Sequence, residues 1–398
     1  LNTGVLANHS GWTWPLGLSA LNEHYLGFLS LNQRDKTLDS LKNLDNSDQI
    51  KDMLLASPFT QQYNLSIYGA TQRMNNSLSL MFEKNQSNFR ESYNNRFMMN
   101  YRTMVNITKW LDFSMNTMLQ YNKFTNNGTN LSEISSLSPY EMLKNADGSF
   151  TNTTLKYYLP LIRRQVPVNL FPYDDWSYNP AREIASRSLV NTELNGRIQG
   201  GLTLKPTKGL SIESRIQYEN FNTLTRNLYD ESSFVVRQTV NQSAFWVPNL
   251  PNSMTTKPIP NLLKGSILDQ SRVNLTSWNY RNLISFNSQL GKEHELFFVG
   301  GTELQSSVVQ TYNNPRTYGY NDATLQLGTF PNGPGGVPVN GNQNGTLPPT
   351  NLTIRNWLNN TQSFGYTNSF AYTTERYFSA FANASYTCLL YTSDAADE

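Results

Sequence analysis

The strongest constraint on this fold is a long segment in which apolar and polar residues alternate with a period of two. Residues 100–122 read NYRTMVNITKWLDFSMNTMLQYN. Every second side chain is apolar, aromatic or threonine on both sides of a predicted turn at residues 106–109, which indicates a β-hairpin with one apolar and one polar face. The same alternation of apolar and polar residues recurs at residues 190–218, around a predicted turn at residues 206–209. We therefore expect the chain to fold mainly as long β-hairpins, each with one apolar and one polar face.

Patterns of this kind predict about ten strands, most of them ten or more residues long. They cover residues 61–71, 75–84, 97–105, 111–121, 190–204, 210–220, 278–290, 295–307, 362–373 and 377–387. We expect the last two to form a hairpin around a turn at Thr374, Glu375 and Arg376. The fold class predicted from these strands is all-β.

The connections between the strands alternate in length. Short turns are predicted near residues 72, 107, 207, 292 and 375, and long polar or irregular segments occupy residues 123–188, 223–277 and 308–360. Short turns on one rim and long loops on the other are the layout of an outer-membrane β-barrel. A soluble sandwich typically has strands of about five or six residues and no such alternation. The pattern favours a transmembrane antiparallel barrel.

The charged residues of one strand favour the same fold. Glu213, Arg215 and Glu219 share one face of the strand at residues 210–220. Turning Arg215 toward lipid at mid-depth would cost roughly 2 to 4 kcal/mol. We therefore expect the charged face to line a water-filled lumen. Aromatic side chains near strand ends, such as Tyr121, suit the membrane boundary, although half-buried sheet aromatics would give the same pattern.

Composition excludes several other classes. The 398 residues are 38% hydrophobic and only 15% charged, with a net charge of +2 that offers no electrostatic footprint for nucleic acid. No apolar run approaches the roughly 18 residues of a transmembrane helix. His9, His24 and His294 are too dispersed to predict a metal site. Neither a phosphate-binding glycine loop nor a G-x-S-x-G nucleophile motif is present, so we predict no cofactor and no enzyme activity.

Three short sequence segments carry a family resemblance. They are QQYNLSIYGATQRMNNSLSLMF at residues 61–82, LSPYEMLKNADGS at residues 137–149, and the turns TKWL and TKGL. Together and in this order they resemble the SusC/RagA-like branch of TonB-dependent transporters, and the resemblance covers residues 33–387. Gly69 and Ala70 stand where that family usually has Gly-Gly, a departure that reduces local backbone freedom.

The resemblance implies a 22-stranded barrel plugged by an N-terminal domain, of which this chain would be a partial barrel with about ten strands. The plug and the TonB-contacting segment would lie upstream of Leu1, and the later strands downstream of Thr387. The implied activity is energised import of oligosaccharides or peptides across the outer membrane of a Gram-negative bacterium. The implied partners are TonB, outer-membrane lipid and a SusD-like surface lipoprotein that covers the barrel.

The candidate substrate contacts are aromatic side chains of the long loops, which could stack on a sugar or cover a peptide. They are Tyr140, Tyr157, Tyr173, Trp176, Trp246 and Trp357. The alternative for each residue is that it packs the loops against one another or against the lipoprotein. The sequence does not distinguish oligosaccharide from peptide.

We divide the chain into three parts. Residues 1–60 are expected to be an irregular region, without periodicity up to residue 31 and with two short helices between residues 37 and 56, where Ser47 is a candidate N-cap. Residues 61–387 would be the partial barrel. Residues 388–398 read CLLYTSDAADE, which resembles a translated sequencing adapter and is expected to be a non-native tail.

Two other functions fit the same strands. A secreted all-β carbohydrate-binding protein or adhesin would bury its apolar strand faces between two sheets, whereas a barrel would present them to lipid. A passive porin would share the barrel but would have no plug.

Overall fold

The computed structural model describes residues 13–244, 258, 260–289, 294–326, 351–355, 361–365 and 369–388, with the backbone alone for residues 351–355 and 361–365. The strands are β1 (Phe59–Ala70), β2 (Met74–Gln86), β3 (Ser92–Thr108), β4 (Leu111–Asn126), β5 (Arg187–Thr207), β6 (Leu210–Tyr229), β7 (Ser266–Gln289), β8 (His294–Asn313), β9 (Thr317–Tyr320), β10 (Asn351–Arg355), β11 (Thr361–Gly365) and β12 (Ser369–Cys388). The helices are α1 (Leu16–Tyr25), α2 (Leu31–Lys42), α3 (Ser47–Met53), α4 (Leu131–Ser135), α5 (Leu159–Gln165), α6 (Pro180–Ala185) and α7 (Phe234–Ser243), with a short 3₁₀ turn at Val168–Leu170.

One antiparallel sheet of 10 strands organises the described residues. Its order is β1-β2-β3-β4-β5-β6-β7-β8-β12, and β9 pairs with the start of β7 beyond the end of β8. Strands β10 and β11 form a separate pair. Each strand pairs with its predecessor along the sheet, which is the meander expected when short turns join successive long strands. The predicted all-β antiparallel architecture is confirmed.

Two turns lie slightly further along the chain than predicted. Strand β3 continues to Thr108, so Lys109 and Trp110 make the turn, and a register shift between Asn106 and Thr108 absorbs the extra residue. Strand β5 likewise continues to Thr207, and the turn is made by Lys208 and Gly209. Gly209 has φ +87°, a backbone conformation that residues with a Cβ rarely adopt.

The predicted hairpin at residues 362–387 is wrong. Ser369 to Cys388 form a single strand along β8, and Thr374, Glu375 and Arg376 pair in its middle with Val308, Ser307 and Ser306. Thr-Glu-Arg contains none of the Gly, Asn, Asp or Pro residues that supply turn geometry, so an uninterrupted strand keeps more backbone hydrogen bonds. The predicted turn at residues 291–293 lies outside the described residues.

The N-terminal region contains more helix than predicted. Helix α1 occupies part of the segment expected to be irregular, and it buries Ser19, Ala20 and Glu23, so its helical conformation is fixed by packing. Helix α2 begins with a capping box in which Ser30 and Gln33 exchange hydrogen bonds. For α3, Asn46 rather than Ser47 is the N-cap residue.

The described parts of the two long connections fold into a compact layer at one end of the sheet, which we call the cap and define as residues 127–186, 230–244, 258 and 260–265. Three buried apolar clusters fill it, and their fully buried members include Leu143, Ile162 and Val236. The N-terminal helices join this layer, because the Asn46 side chain donates to the carbonyls of Ser138 and Glu141 at 2.9 Å each. The short turns lie at the opposite end of the sheet.

Candidate functional site: the polar face of the sheet and its cap

Register partners in an antiparallel sheet project to the same face, so the pairing assigns every side chain to one of two faces. One face is apolar. Tyr63, Phe82, Phe97, Tyr121 and Leu194 are successive register partners across β1 to β5 and form an aromatic and aliphatic row on it. Towards the short turns this face continues with apolar residues.

The apolar face is the more exposed of the two. Ile198 is 47% exposed, Ile216 58% and Tyr218 48%. Their chain neighbours Gln217 and Glu219 point to the opposite face and are only half-buried, not exposed. In a water-soluble protein a contiguous apolar surface of this extent would be covered. The surface therefore requires an apolar environment.

The other face is polar and carries an open recess of about 340 Å³ between β5 and β8. This volume falls within the roughly 300–1,000 Å³ of small-molecule sites. Its polar-face lining consists of Gln199, Arg215, Gln217, Glu219, Ser277, Asn279, Arg281, Glu303 and Gln305. The recess is therefore lined by guanidinium, carboxylate and amide groups.

Strand register sorts this lining into three parallel rows. Arg215, Arg281 and Glu303 are successive register partners across β6, β7 and β8. Two residues along, Gln199, Gln217, Asn279 and Gln305 form a row of side-chain amides across four strands. Two residues further on, Glu219 and Ser277 form the third row, and Arg197, the register partner of Glu219 on β5, lies next to it outside the lining. Successive rows are about 7 Å apart along the strands.

The charges of the recess are only partly compensated. The Glu213 carboxylate lies 2.6 Å from Nε of Arg215 and neutralises it. Asn195 donates an amide hydrogen bond to Glu219 at 3.0 Å, and Asn279 donates one to Glu303 at 2.5 Å. Among the residues that the structure describes, neither of these carboxylates lies within ion-pair distance of a cation. Uncompensated charges of both signs thus lie on one surface.

Besides Arg197, which also has no ion-pair partner among the described residues, the recess carries an uncompensated cation in Arg281. It is solvent-exposed, and no carboxylate of the described part of the chain lies within 4.0 Å of it. Its guanidinium carbon lies 5.9 Å from the centroid of the Phe381 ring. It is therefore available to an anionic ligand group.

Two of the predicted loop aromatics lie inside the cap. Tyr157 is 6% exposed and Trp176 is 5% exposed, and their ring centroids are 5.6 Å apart. Tyr157 accepts hydrogen bonds from the side-chain amides of Gln238 and Gln242, at 3.0 and 3.2 Å. In this structure both rings join the two long loops, which is the alternative role anticipated for them. Their contact with a substrate stays a prediction.

The other predicted aromatics have different positions. Tyr173 is half-buried, donates to Glu231 at 3.0 Å, accepts from the Gly265 amide at 3.2 Å and lies under the Lys264 ammonium. Burial raises its pKa above the usual range. Tyr140 is half-buried against α1, close to Gly17. Trp246 and Trp357 lie outside the described residues. Substrate contact remains a prediction for all four.

A buried ion-pair network fixes the two parts of the cap together. Arg237, 4% exposed, lies 2.7 Å from the Asp175 carboxylate and donates to the carbonyls of Asp175 and Ser177 at 2.7 and 3.0 Å. Burial alone would raise the pKa of Asp175, but hydrogen bonds from Ser177 and the charge of Arg237 hold it below its usual range. Burial raises the pKa of Glu183, which accepts from the Phe234 amide at 2.8 Å.

The polar rows were not identified as a site from the sequence. Alternation did place Glu213, Arg215 and Glu219 on a water-facing side, and that signal extends to every strand. The adjacency of Gln199, Gln217, Asn279 and Gln305 depends on the register of four strands, which no local pattern encodes.

The sheet and cap define the class of fold: a long-stranded antiparallel sheet that forms part of a β-barrel. No protein-family model and no curated protein sequence matches the chain. Among solved structures, the RagAB peptide importer in its "closed-closed" state is similar, with a TM-score of 0.59 and 13% identity over 96% of this chain and 38% of that one.

Two further structures show the same likeness. The RagAB peptide transporter gives a TM-score of 0.57 and 14% identity over 93% of this chain and 35% of that one. The RagAB importer in its "open-open" state gives a TM-score of 0.57 and 13% identity over 87% of this chain and 32% of that one. The chain thus spans about a third of their length. At these identities the likeness establishes the fold, and the predicted partial barrel is confirmed at that level.

Two kinds of feature are absent from the described residues. No helix there is both long and apolar enough to cross a membrane. No group of three or more His, Cys, Asp or Glu side chains in that part of the chain is arranged to hold a metal ion.

Proposed function

We propose that this chain is part of an outer-membrane, TonB-dependent active transporter of the SusC/RagA-like type, which imports oligosaccharides or peptides. The observation that carries the proposal is the distribution of polarity over the sheet. Its apolar face is exposed and its charged face is partly sheltered, which suits lipid outside and water inside. The likeness to the fold of a peptide importer supports the same conclusion.

The length of the apolar band supports a membrane location. On β5 the outward positions from residue 194 to residue 204 are Leu194, Gly196, Ile198, Gly200, Leu202 and Leu204. Ten steps of about 3.4 Å, tilted by about 35–45°, rise roughly 24–28 Å, which matches the apolar band of about 25 Å on membrane barrels. The band ends near the short turns, so the short turns would face the periplasm.

The proposed partners follow from this orientation. A SusD-like lipoprotein would cover the rim that carries the cap, and TonB would act through a segment upstream of Leu1. The loop aromatics Tyr140, Tyr157, Tyr173, Trp176, Trp246 and Trp357 would support substrate binding at that rim, directly or by holding the loops. Residues 1–60 would precede the partial barrel at residues 61–387, and residues 388–398 would be a non-native tail.

Fractionation of the complete parent protein tests the membrane assignment. We expect it in the outer-membrane fraction, soluble only in detergent and heat-modifiable on a gel, as folded barrels are. Recovery as a soluble protein without detergent would contradict the proposal and would favour a secreted binding protein or adhesin.

An uptake assay tests the mode of transport. We expect accumulation of substrate in cells to stop when the proton gradient is collapsed or TonB is deleted. Uptake that continues unchanged under both conditions would indicate a passive porin.

A further inference from the structure

The lysine and arginine side chains of the apolar face have no acidic counterparts there. Within strands β1 to β8 and β12, the register places no Asp or Glu on this face, but it places five cationic residues there: Lys84, Lys123, Arg226, Arg272 and Arg376. The polar face of the same strands carries both signs, as in Glu213 and Arg215. The charge of the apolar face is therefore positive wherever these strands carry one.

Two of these cations border the aromatic part of the apolar face on its cap side. Lys84 lies two residues beyond Phe82 on β2, and Lys123 lies two residues beyond Tyr121 on β4. Aromatic rings and lysines with long, flexible stems are both found where the hydrocarbon of a membrane meets its headgroups. With the apolar face against lipid, the two ammonium groups would lie at the level of the headgroups.

Lys84 and Lys123 lie on either side of Asn95 in one row of the sheet. The three residues are successive register partners across β2, β3 and β4. Neighbouring strands are about 4.8 Å apart, so the Cα atoms of the two lysines are about 10 Å apart. Their flexible four-carbon stems allow both ammonium groups to reach one headgroup. Both side chains are exposed, and no carboxylate of the described residues lies within 4.0 Å of either ammonium.

Two uncharged groups next to the lysines are sheltered from solvent. The side-chain carbonyl oxygen of Asn95 and the hydroxyl of Thr125 are buried, and neither has a hydrogen-bond partner in the described part of the chain. Thr125 is 6% exposed and lies two residues beyond Lys123 on the same face. Buried polar groups normally have a partner. A ligand hydroxyl would donate to Asn95, and a ligand oxygen would accept from Thr125.

The position of the lysines favours a lipid over a soluble acidic partner. Phe82 is 44% exposed and Tyr121 is 39% exposed, so the same molecule has to cover aromatic rings and neutralise the ammonium groups beside them. Acyl chains and a phosphate group in one molecule do both. A headgroup that also carries sugar hydroxyls would supply the donor that Asn95 lacks.

We propose that Lys84, Asn95, Lys123 and Thr125 form a binding site for the phosphorylated sugar headgroup of a glycolipid. The two ammonium groups would hold the phosphate, and the sugar would lie over Asn95 and Thr125. The inference rests on the proposed function, since it takes the apolar face as the surface that meets lipid and the cap side as the outer leaflet.

The test is a titration of the complete parent protein in detergent with three probes: lipid A, which is a diglucosamine lipid with two phosphates, its dephosphorylated form, and phosphatidic acid, which has a phosphate but no sugar. Lipid A should bind most tightly. The double variant Lys84→Gln with Lys123→Gln should weaken lipid A binding about 25-fold, a factor of about five for each lysine at a charged membrane surface. Its affinity for the dephosphorylated form should stay within about twofold of the native value, because the lysines then have no phosphate to bind.

The matched control is the double variant Lys109→Gln with Lys208→Gln. It removes the same charge from exposed lysines in two short turns, at the opposite end of the strands. Because the distance exceeds the screening length of about 8 Å at physiological salt, each affinity should change less than about twofold.

Three results would overturn the inference: unchanged lipid A binding after loss of Lys84 and Lys123, equal losses in the two double variants, or equal affinity for lipid A and phosphatidic acid. Heat-modifiable migration shows that each variant is folded. The titrations measure lipid binding without transport, so a failure of the transport proposal would be seen separately, in fractionation and uptake.

Discussion

An Ile198→Arg substitution would place a guanidinium near the centre of the apolar band. Ile198 lies on the apolar face of β5, 47% exposed, with Leu194 above it and Leu202 below it. Arginine at the midplane of a membrane barrel costs about 2–4 kcal/mol. At about 1.4 kcal/mol per factor of ten, the ratio of folded to unfolded protein should fall about 30- to 700-fold relative to the native sequence.

Gln199→Arg is the matched control for this substitution. It introduces the same side chain one position along the strand, where the pleat turns it toward the polar recess. We expect a change in the free energy of unfolding below about 1 kcal/mol, because the guanidinium stays in water among other charged groups.

Both variants would be made in the complete parent protein, refolded into lipid vesicles and unfolded with denaturant. The measured quantity is the difference in the free energy of unfolding between each variant and the native sequence. Equal destabilisation by the two arginines would refute the assignment of faces. A larger loss for Gln199→Arg would mean that the apolar face contacts water and the polar face is buried.

Three further predictions concern the cap and one turn. Arg237→Met should destabilise the cap by about 2–4 kcal/mol, because it leaves buried carbonyls and Asp175 without their donor, whereas the more exposed Arg182→Met should cost under about 1 kcal/mol; hydrogen exchange in the cap measures both, and equal effects would contradict the network. The folded-state pKa of Asp175 is depressed, so its stabilisation of the cap is present above about pH 4 and is lost as the pH falls through that depressed value. Limited proteolysis of the cap should therefore become faster as the pH falls below about 4, and Asp175→Asn should remove this pH dependence. A pH profile that is unchanged in the variant would show that another group is responsible. Gly209→Ala should destabilise the protein by about 1–3 kcal/mol, since φ is +87° and an added Cβ would overlap the Asn287 carbonyl oxygen. Gly148→Ala, at φ +83° but with open space around it, should show a smaller loss in the same unfolding assay.

The strands were predictable where alternation and turn chemistry agree. Around Gly209 a run of alternating residues meets a glycine in the left-handed region, and the predicted hairpin is present with its turn shifted by one or two residues. The sequence pattern predicts a turn at Thr374, Glu375 and Arg376, residue types with low turn propensity. In the structure these residues pair with β8 within one continuous strand.

The cap was less predictable because packing between distant segments determines it. Glu23 on α1 forms an ion pair with Arg164, which is distant in sequence, and no sequence feature near Glu23 predicts that ion pair. Tyr157 and Trp176 stand out by residue type, but an aromatic side chain in a loop can contact a ligand or fill a core equally well. The structure shows the second arrangement through their burial.

The recess follows from register, which is a property of strand pairs. A slip of one residue between β6 and β7 would move Arg281 to the apolar face. The sequence shows that a polar face exists, while the hydrogen-bonded ladder decides which of its side chains are neighbours.

The strands are much longer than a membrane requires. Strands β6 and β7 contain 20 and 24 residues, whereas about 9–11 are enough to cross a bilayer. Because the apolar band lies next to the short turns, the excess of about ten residues rises on the cap side, and at the usual tilt it forms a collar roughly 25 Å tall. In the proposed outer-membrane orientation, the cap would therefore stand clear of the lipid headgroups. A lipoprotein that covers the cap would then be held well above the bilayer surface.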